Sequence, residues 1–184
     1  IDDQTVTPGV YGSGYNYTVT ASRNDNVSGL KYTITGLPGG LDYDQATGRI
    51  YGIPYEVVTN KTISVTVEPA NGTSNRTDAA FKATKNLSIT IDKAQPTVTG
   101  IAPVGSVVSG ADLNTVGWQV TVSGPRFKAT SAVTGASTAA DWETFTDTII
   151  YPVGKLGPTD KTSGIGQAVL SATNSKFAAS PATS

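Results

Sequence analysis

The stretch YTITGLPGGLDYDQATGRIYGIP, from Tyr32 to Pro54, decides the fold of this chain. Short apolar segments alternate in it with two turn signals, Pro38-Gly39-Gly40 and the polar run from Asp44 to Gly48. Proline presets a negative φ, the paired glycines permit a positive φ, and an aspartate can hydrogen-bond its own backbone two residues on. Two chain reversals within about twenty residues predict a compact β domain.

The spacing of these residues is similar to that of the immunoglobulin-like and dystroglycan-type cadherin-like repeats of cell-surface adhesins, whose pattern is GLPxGLxxDxxTGxIxGxP. The matching residues are Gly36, Leu37, Pro38, Gly40, Leu41, Asp44, Thr47, Gly48, Ile50, Gly52 and Pro54. The resemblance covers about the first half of the chain. It implies a β-sandwich, a location outside the cell, and turn or packing roles for the motif residues, Asp44 among them.

The composition excludes several classes of function. Charged residues make up 15% of the 184 residues and the net charge is −1, so the chain has no electrostatic footprint for nucleic acid or an anionic membrane. Histidine, cysteine and methionine are absent, which removes imidazole bases, thiolate nucleophiles, disulfides and the usual zinc ligands. No apolar run has the length of a membrane span. We therefore expect a non-enzymatic protein without a cofactor.

An internal repeat predicts two domains. The start of the chain, IDDQTVTPG, is echoed by IDKAQPTVTG from Ile91 to Gly100, which gives a period near ninety residues. One small β-sandwich takes about 100 residues. We predict an all-β chain of two tandem immunoglobulin/cadherin-like sandwiches arranged end to end, covering residues 1–93 and 94–184. The second lacks the motif and is a diverged or different immunoglobulin-like module, with a short or truncated last strand.

Alternating apolar and polar residues predict the individual strands. In the first domain they are expected near 16–21, 30–35, 49–53, 62–68 and 86–91, with an edge strand near Thr5. In the second they are expected at 118–123, 147–153 and 167–172. We also expect an exposed loop at 69–78 and a long loop from Gly124 to Asp141.

A calcium site is the metal hypothesis that the sequence offers. Cadherin-like domains carry acidic turns, and calcium takes several oxygen ligands at once. The candidate ligands are Asn24, Asp25 and Asn26, but Arg23 stands where the first ligand of the cadherin pattern belongs. The alternative is that these three residues form an Asx-type turn.

The segment Asp141-Trp142-Glu143 is the candidate ligand-binding site. A tryptophan presents a flat apolar face to a sugar or peptide, while acids beside it accept hydrogen bonds. Glycosidase chemistry could use the same pair of carboxylates beside an aromatic residue, but without histidine or cysteine we do not expect catalysis. The alternative is that Trp142 packs under a loop or in the core. Trp118, which opens an alternating strand, is the stronger core candidate.

The sequence contains candidate residues for two covalent modifications. Lys31 and Lys82 lie near predicted strands and could form an isopeptide bond with an asparagine, although most lysines on strands face water. Six Asn-X-Ser/Thr sequences would be glycosylation acceptors in a secreted eukaryotic protein. They begin at Asn16, Asn26, Asn60, Asn71, Asn75 and Asn86.

Together these features predict a non-catalytic module of a secreted or wall-anchored bacterial adhesin. It would act as a monomeric spacer beside neighbouring repeats of the same chain and would bind a host-surface glycan or protein through its end loops. It would neither bind nucleic acid nor insert into a membrane. The alternative is an accessory module of a secreted carbohydrate-active enzyme, which a catalytic domain elsewhere in the full-length protein would reveal.

Overall fold

The computed structural model describes residues 1–22, 29–70, 82–109, 116–128 and 133–151, and these residues form β-strands with one short 3₁₀-helix. The strands are β1 (Gly9–Val10), β2 (Tyr15–Thr18), β3 (Leu30–Thr35), β4 (Leu41–Tyr43), β5 (Arg49–Gly52), β6 (Val58–Pro69), β7 (Ala83–Asp92), β8 (Thr97–Pro103), β9 (Trp118–Phe127) and β10 (Trp142–Tyr151). The 3₁₀-helix is Ala139–Asp141. The prediction of an all-β chain is confirmed. None of the helices in these ranges is long and apolar enough to cross a membrane.

The chain divides into two compact units. The first comprises Ile1–Asp92 together with Phe127–Asp141, and the second comprises Lys93–Arg126 together with Trp142–Ser184. The segment that connects β9 to β10 therefore belongs to the first unit.

The first unit is a sandwich of two sheets. One sheet has the strand order β1-β7-β6-β3 and the other has the order β2-β5-β4. The pairs β3/β6, β6/β7, β2/β5 and β4/β5 are antiparallel, whereas β1 runs parallel to β7 with Gly9 opposite Ile91. The predicted edge strand near Thr5 is wrong in position. Thr5 lies outside any ladder, and the paired edge residues are those of β1.

The core of the first unit lies between the two sheets, because apolar side chains alternate along their strands. Ile63 and Val65 of β6 and Ile89 and Ile91 of β7 are completely buried, as is Ile50 of β5. Burying each such side chain contributes roughly 1.5–3 kcal/mol. The remaining core residues are Val6, Tyr15, Val19, Tyr32, Ile34, Leu41, Val67 and Leu87.

The second unit contains the sheet β10-β9-β8, in which β8 and β9 pair antiparallel with a register shift near Val98. In the described part of the second unit, the buried aliphatic residues are Ala94 and, on β9, Val120 and Val122. Trp118 is half-buried, so the structure does not place it in the fully buried core. The expected loop from Gly124 is wrong at its start, because β9 continues to Phe127. The predicted strand at 167–172 and most of the predicted loop at 69–78 lie outside the described residues.

Candidate functional site

The two turns of the Tyr32–Pro54 motif are built as its residue types require. At the first turn the amide of Leu41 donates to the carbonyl of Pro38 over 3.1 Å, and Gly40 has a φ of 89°. At the second, the Oδ1 atom of Asp44 accepts from the amides of Ala46 (2.8 Å) and Thr47 (2.9 Å). These hydrogen bonds, from Thr47 first and then Ala46, hold the pKa of Asp44 below its usual value. Asp44 is therefore a turn residue, as the family resemblance implies.

Packing explains the glycines of the motif. A Cβ on Gly48 would lie 2.6 Å from a ring carbon of Tyr32, and one on Gly52 would lie 2.3 Å from the carbonyl oxygen of Gly40. Pro38 and Pro54 are fully buried. The motif residues thus serve the fold rather than chemistry.

The predicted binding residues Asp141, Trp142 and Glu143 are consecutive but fall in different units. Asp141 ends the 3₁₀-helix in the first unit, where its Oδ2 atom accepts from the amide (2.7 Å) and the hydroxyl (3.1 Å) of Thr138. Trp142, which is half-buried, and Glu143, which is exposed, begin β10 of the second unit. Glu143 accepts a charged hydrogen bond of 2.8 Å from Nε of Arg126. Both carboxylates are thus engaged by their own surroundings.

The calcium candidate Asn24, Asp25 and Asn26 lies outside the described residues. Within the described ranges, no three residues among histidine, cysteine, aspartate and glutamate group as metal ligands. Lys31 and Lys82 both pair with Glu68, at 3.5 Å and 3.6 Å, and keep 43% and 54% of their side chains exposed. These two lysines therefore face water in surface ion pairs, which contribute little stability.

The side chains of the β2-β5-β4 sheet that point away from the core form a second candidate surface, which sequence reasoning missed. Asn16, Tyr51 and Asp42 stand opposite one another across the three strands. The guanidinium of Arg49 lies 5.2 Å from the centre of the Tyr51 ring, and its Nε donates to Oδ1 of Asn16 over 3.0 Å. We call these four residues the outer-face cluster. The sequence signal for this cluster was the alternation of residue types in β2 and β5, which places exposed polar residues on one face of the sheet.

A third feature is the seam between the N-terminal residues and the rest of the first unit. The side-chain amide of Gln4 pairs with Thr20, accepting from its amide and donating to its carbonyl, each over 3.0 Å. Lys85 of β7 pairs with the carboxylate of Asp3 and holds the pKa of Asp3 below its usual value. Farther along, the amide of Tyr11 donates to the carbonyl of Asp92 over 2.9 Å. Residues 1–11 are therefore bound to β7 and to the residues that follow β2.

Two tyrosines of β2 add hydrogen bonds to this seam. The hydroxyl of Tyr15 donates to the carbonyl of Thr7 over 2.8 Å, and that of Tyr17 donates to Oε1 of Gln4 over 2.9 Å. Burial, with a smaller contribution from the charge of Tyr17, raises the pKa of Tyr15 to about 12. Among the described residues, every buried side-chain nitrogen or oxygen has a hydrogen-bond partner.

Comparison with known proteins agrees with this architecture. Residues 2–92 match the family model described as "Putative Ig domain". This segment is a member of that Ig-domain family. Its limits coincide with the part of the first unit that precedes β8, and the match confirms the resemblance drawn from the motif.

The chain is also similar to proteins named "Serine-rich adhesin for platelets" from Staphylococcus aureus. It is 29% identical over 182 residues to those of strains MSSA476 and MRSA252, which covers 84% of this chain and 8% and 13% of those proteins. The protein of strain N315 is 32% identical over 98 residues, which covers 53% of this chain and 4% of that protein. The chain thus spans a small fraction of these relatives. The similarity is therefore to a part of each adhesin, and the match to the Ig-domain family covers residues 2–92.

Proposed function

We propose that this chain is a non-catalytic spacer module of a bacterial surface adhesin, located outside the cell. The observation that carries the proposal is the parallel pairing of β1 with β7, the first and last strands of the family segment. Since the two strands run in the same direction and Asp3 pairs with Lys85 near the start of β7, the family segment begins at one end of this sheet and ends at the other. A module with that connectivity adds its own length to a stalk.

The seam also suits a module that bears tension. When the two ends of a parallel strand pair are pulled apart, its hydrogen bonds are loaded together along the strand axis rather than one after another. The hydrogen bond from Tyr17 of β2 to Gln4 and the Lys85–Asp3 ion pair extend this load to both sheets. The resistance of such a seam is a kinetic property, because forced unfolding follows the unfolding rate.

Single-molecule pulling on the full chain between marker domains tests the spacer proposal. Gln4→Ala removes the side-chain pair with Thr20, and we expect it to lower the unfolding force of the first unit. Gln45→Ala is the matched control, since Gln45 is exposed and its backbone carbonyl, not its side chain, accepts from the amide of Tyr32. Equal unfolding forces for the two variants would refute a load-bearing seam.

A second candidate function is recognition of a host-surface glycan or protein. Two observations favour it. Trp142 is only half-buried at the start of β10, and the outer-face cluster holds Arg49 in a fixed position on Tyr51. Arginine and aromatic side chains of this kind dominate binding energy at protein interfaces. The name of the adhesin relatives refers to platelets, so platelets are the natural test cell.

A glycan array and a platelet-adhesion assay with the isolated chain distinguish the two candidates. If the chain binds, Tyr51→Ala or Trp142→Ala should weaken binding at least tenfold, which corresponds to the loss of an aromatic contact of about 1.4 kcal/mol. Thr18→Ala, on the same outer face as Tyr51, is the control. If neither assay detects binding, only the spacer function is supported. A glycosidase domain in the full-length protein would instead support the enzyme-accessory alternative.

A further inference from the structure

Residues 135–138 lie against the motif turns of the first unit. The amide of Ser137 donates to the carbonyl of Gly40 over 3.0 Å, and its hydroxyl donates to the carbonyl of Ile53. Ser137 keeps only 2% of its surface exposed and is the one buried polar residue among the described residues. A hydroxyl buried this fully costs free energy unless it is bonded, so its two hydrogen bonds determine where the segment sits.

Glycines shape the surface that receives this segment. A Cβ on Gly52 would lie 3.2 Å from the Cβ of Ala136, and a Cβ on Gly135 would lie 3.1 Å from Oδ2 of Asp42. Both the receiving surface and the received segment are therefore limited to small residues. We call the surface lined by Gly40, Gly52 and Ile53 the glycine cleft.

Both ends of the received segment are fixed independently of the cleft. On one side the ring of Phe127 stacks on Tyr55, with 4.3 Å between the ring centres and 23° between their planes. On the other side Asp141 caps Thr138, while Nζ of Lys128 donates to the carbonyl of Ala140 over 2.8 Å. The residues that follow Ser137, from Thr138 to Asp141, are thus held in place, which lowers the entropic cost of placing Ser137 in the cleft.

We propose that the glycine cleft is a binding site for a peptide segment of two small residues followed by serine, and that this chain fills the site with its own Gly135-Ala136-Ser137. Recognition uses two carbonyl acceptors of the cleft, those of Gly40 and Ile53, and the absence of a side chain at Gly52 and Gly135. The consequence is that the family segment is completed by residues that lie about forty positions beyond its end.

Trans-addition of a peptide tests this site in the full chain. Ala136→Leu should displace the segment, because a longer side chain meets the backbone of Gly52. A synthetic peptide of residues 133–141 should then shift the amide resonances of Gly40 and Ile53, which NMR measures. A peptide with alanine in place of Ser137 should bind about fivefold to tenfold more weakly, as expected for one lost buried hydrogen bond. Equal binding of the two peptides, or no binding of either, overturns the proposal.

Thermal unfolding of the otherwise unchanged chain keeps the test decisive if Ala136→Leu fails to fold. Ser137→Ala should lower the transition temperature of the first unit by about 5 °C or more. Ser13→Ala is the matched control, because Ser13 is exposed in the first unit and only its backbone amide makes a hydrogen bond. Equal transition temperatures for these two variants also overturn the proposal.

Discussion

The motif glycine Gly40 offers the sharpest test of how this sequence specifies its fold. Its φ is 89°, a left-handed conformation that costs a residue with a Cβ roughly 1–2 kcal/mol. In addition, a Cβ there would lie 2.3 Å from the carbonyl oxygen of Ile53. That contact is with backbone and cannot be relieved by a rotamer change, so overpacking adds about 1–3 kcal/mol. We expect Gly40→Ala to lower the free energy of unfolding by about 2–5 kcal/mol.

Substitutions at two other glycines separate the cost of the left-handed backbone conformation from the cost of overpacking. A Cβ on Gly39 would meet only the Tyr55 ring, at 2.4 Å, and Gly39 has no positive φ, so Gly39→Ala should cost about 1–3 kcal/mol. Gly14 has no atom within 4 Å of its Cβ position and no positive φ. Gly14→Ala should therefore be neutral or stabilise by up to about 1 kcal/mol, since alanine restricts the unfolded chain.

Tyrosine fluorescence during urea unfolding measures this series in the first unit. Both tryptophans lie in the second unit, whereas every tyrosine except Tyr151 lies in the first. The tyrosine transition should move to lower urea in the order Gly14→Ala, Gly39→Ala, Gly40→Ala, while the tryptophan transition reports the second unit. If Gly40→Ala and Gly14→Ala unfold at the same urea concentration, the assignment of Gly40 to an obligatory left-handed turn is wrong.

Three further predictions concern the core and two titrating groups of the first unit. Ile50→Ala should cost about 2–5 kcal/mol in the tyrosine transition because Ile50 is fully buried, whereas Ile101→Ala, at a side chain 56% exposed, should leave that transition unchanged. Because its pKa is lowered, Asp44 contributes stability that is present above pH 3.8 and is lost as the pH falls below that value. Asp44→Asn should therefore flatten the acid side of the curve of unfolding free energy against pH. An unchanged slope would contradict the turn role of Asp44. Because its pKa is raised, Tyr15 contributes stability that is present below pH 10.0 and is lost as the pH rises toward about 12. Tyr15→Phe should therefore reduce the loss of stability at alkaline pH. In an absorbance titration it should remove the phenol that ionises near pH 12.

The strands of the first unit could be predicted from the sequence because their signals are local. Alternation in β3, β6 and β7 marks one buried face, and the turn residues between Pro38 and Gly48 mark the reversals. The position of β1 could not be predicted, because it depends on pairing with residues about eighty positions later. The side chain of Gln4, which takes the place of a ladder partner for Thr20, carries no local signal at all.

The candidate sites show the same division. Asp44 was recognisable as a turn residue, since its partners Ala46 and Thr47 are neighbours in the sequence. The outer-face cluster was not recognised, because Asn16 and Arg49 are separated by 33 residues and meet only through the register of β2 and β5. The acids beside Trp142 looked available in sequence. Their engagement with Thr138 and Arg126 depends on how the loop and β9 fold.

By itself, the sequence determined an all-β fold, an Ig-domain family for residues 2–92 and a lack of the residue types that catalysis usually needs, because periodicity, turn chemistry and composition are properties of the chain. Only the tertiary structure decided that β1 runs parallel to β7, that Arg49 rests on Tyr51, and that Ser137 belongs to the first unit. Each of these arrangements joins residues that are far apart in sequence. Such contacts are selected by the packing of the whole sandwich and not by any local preference.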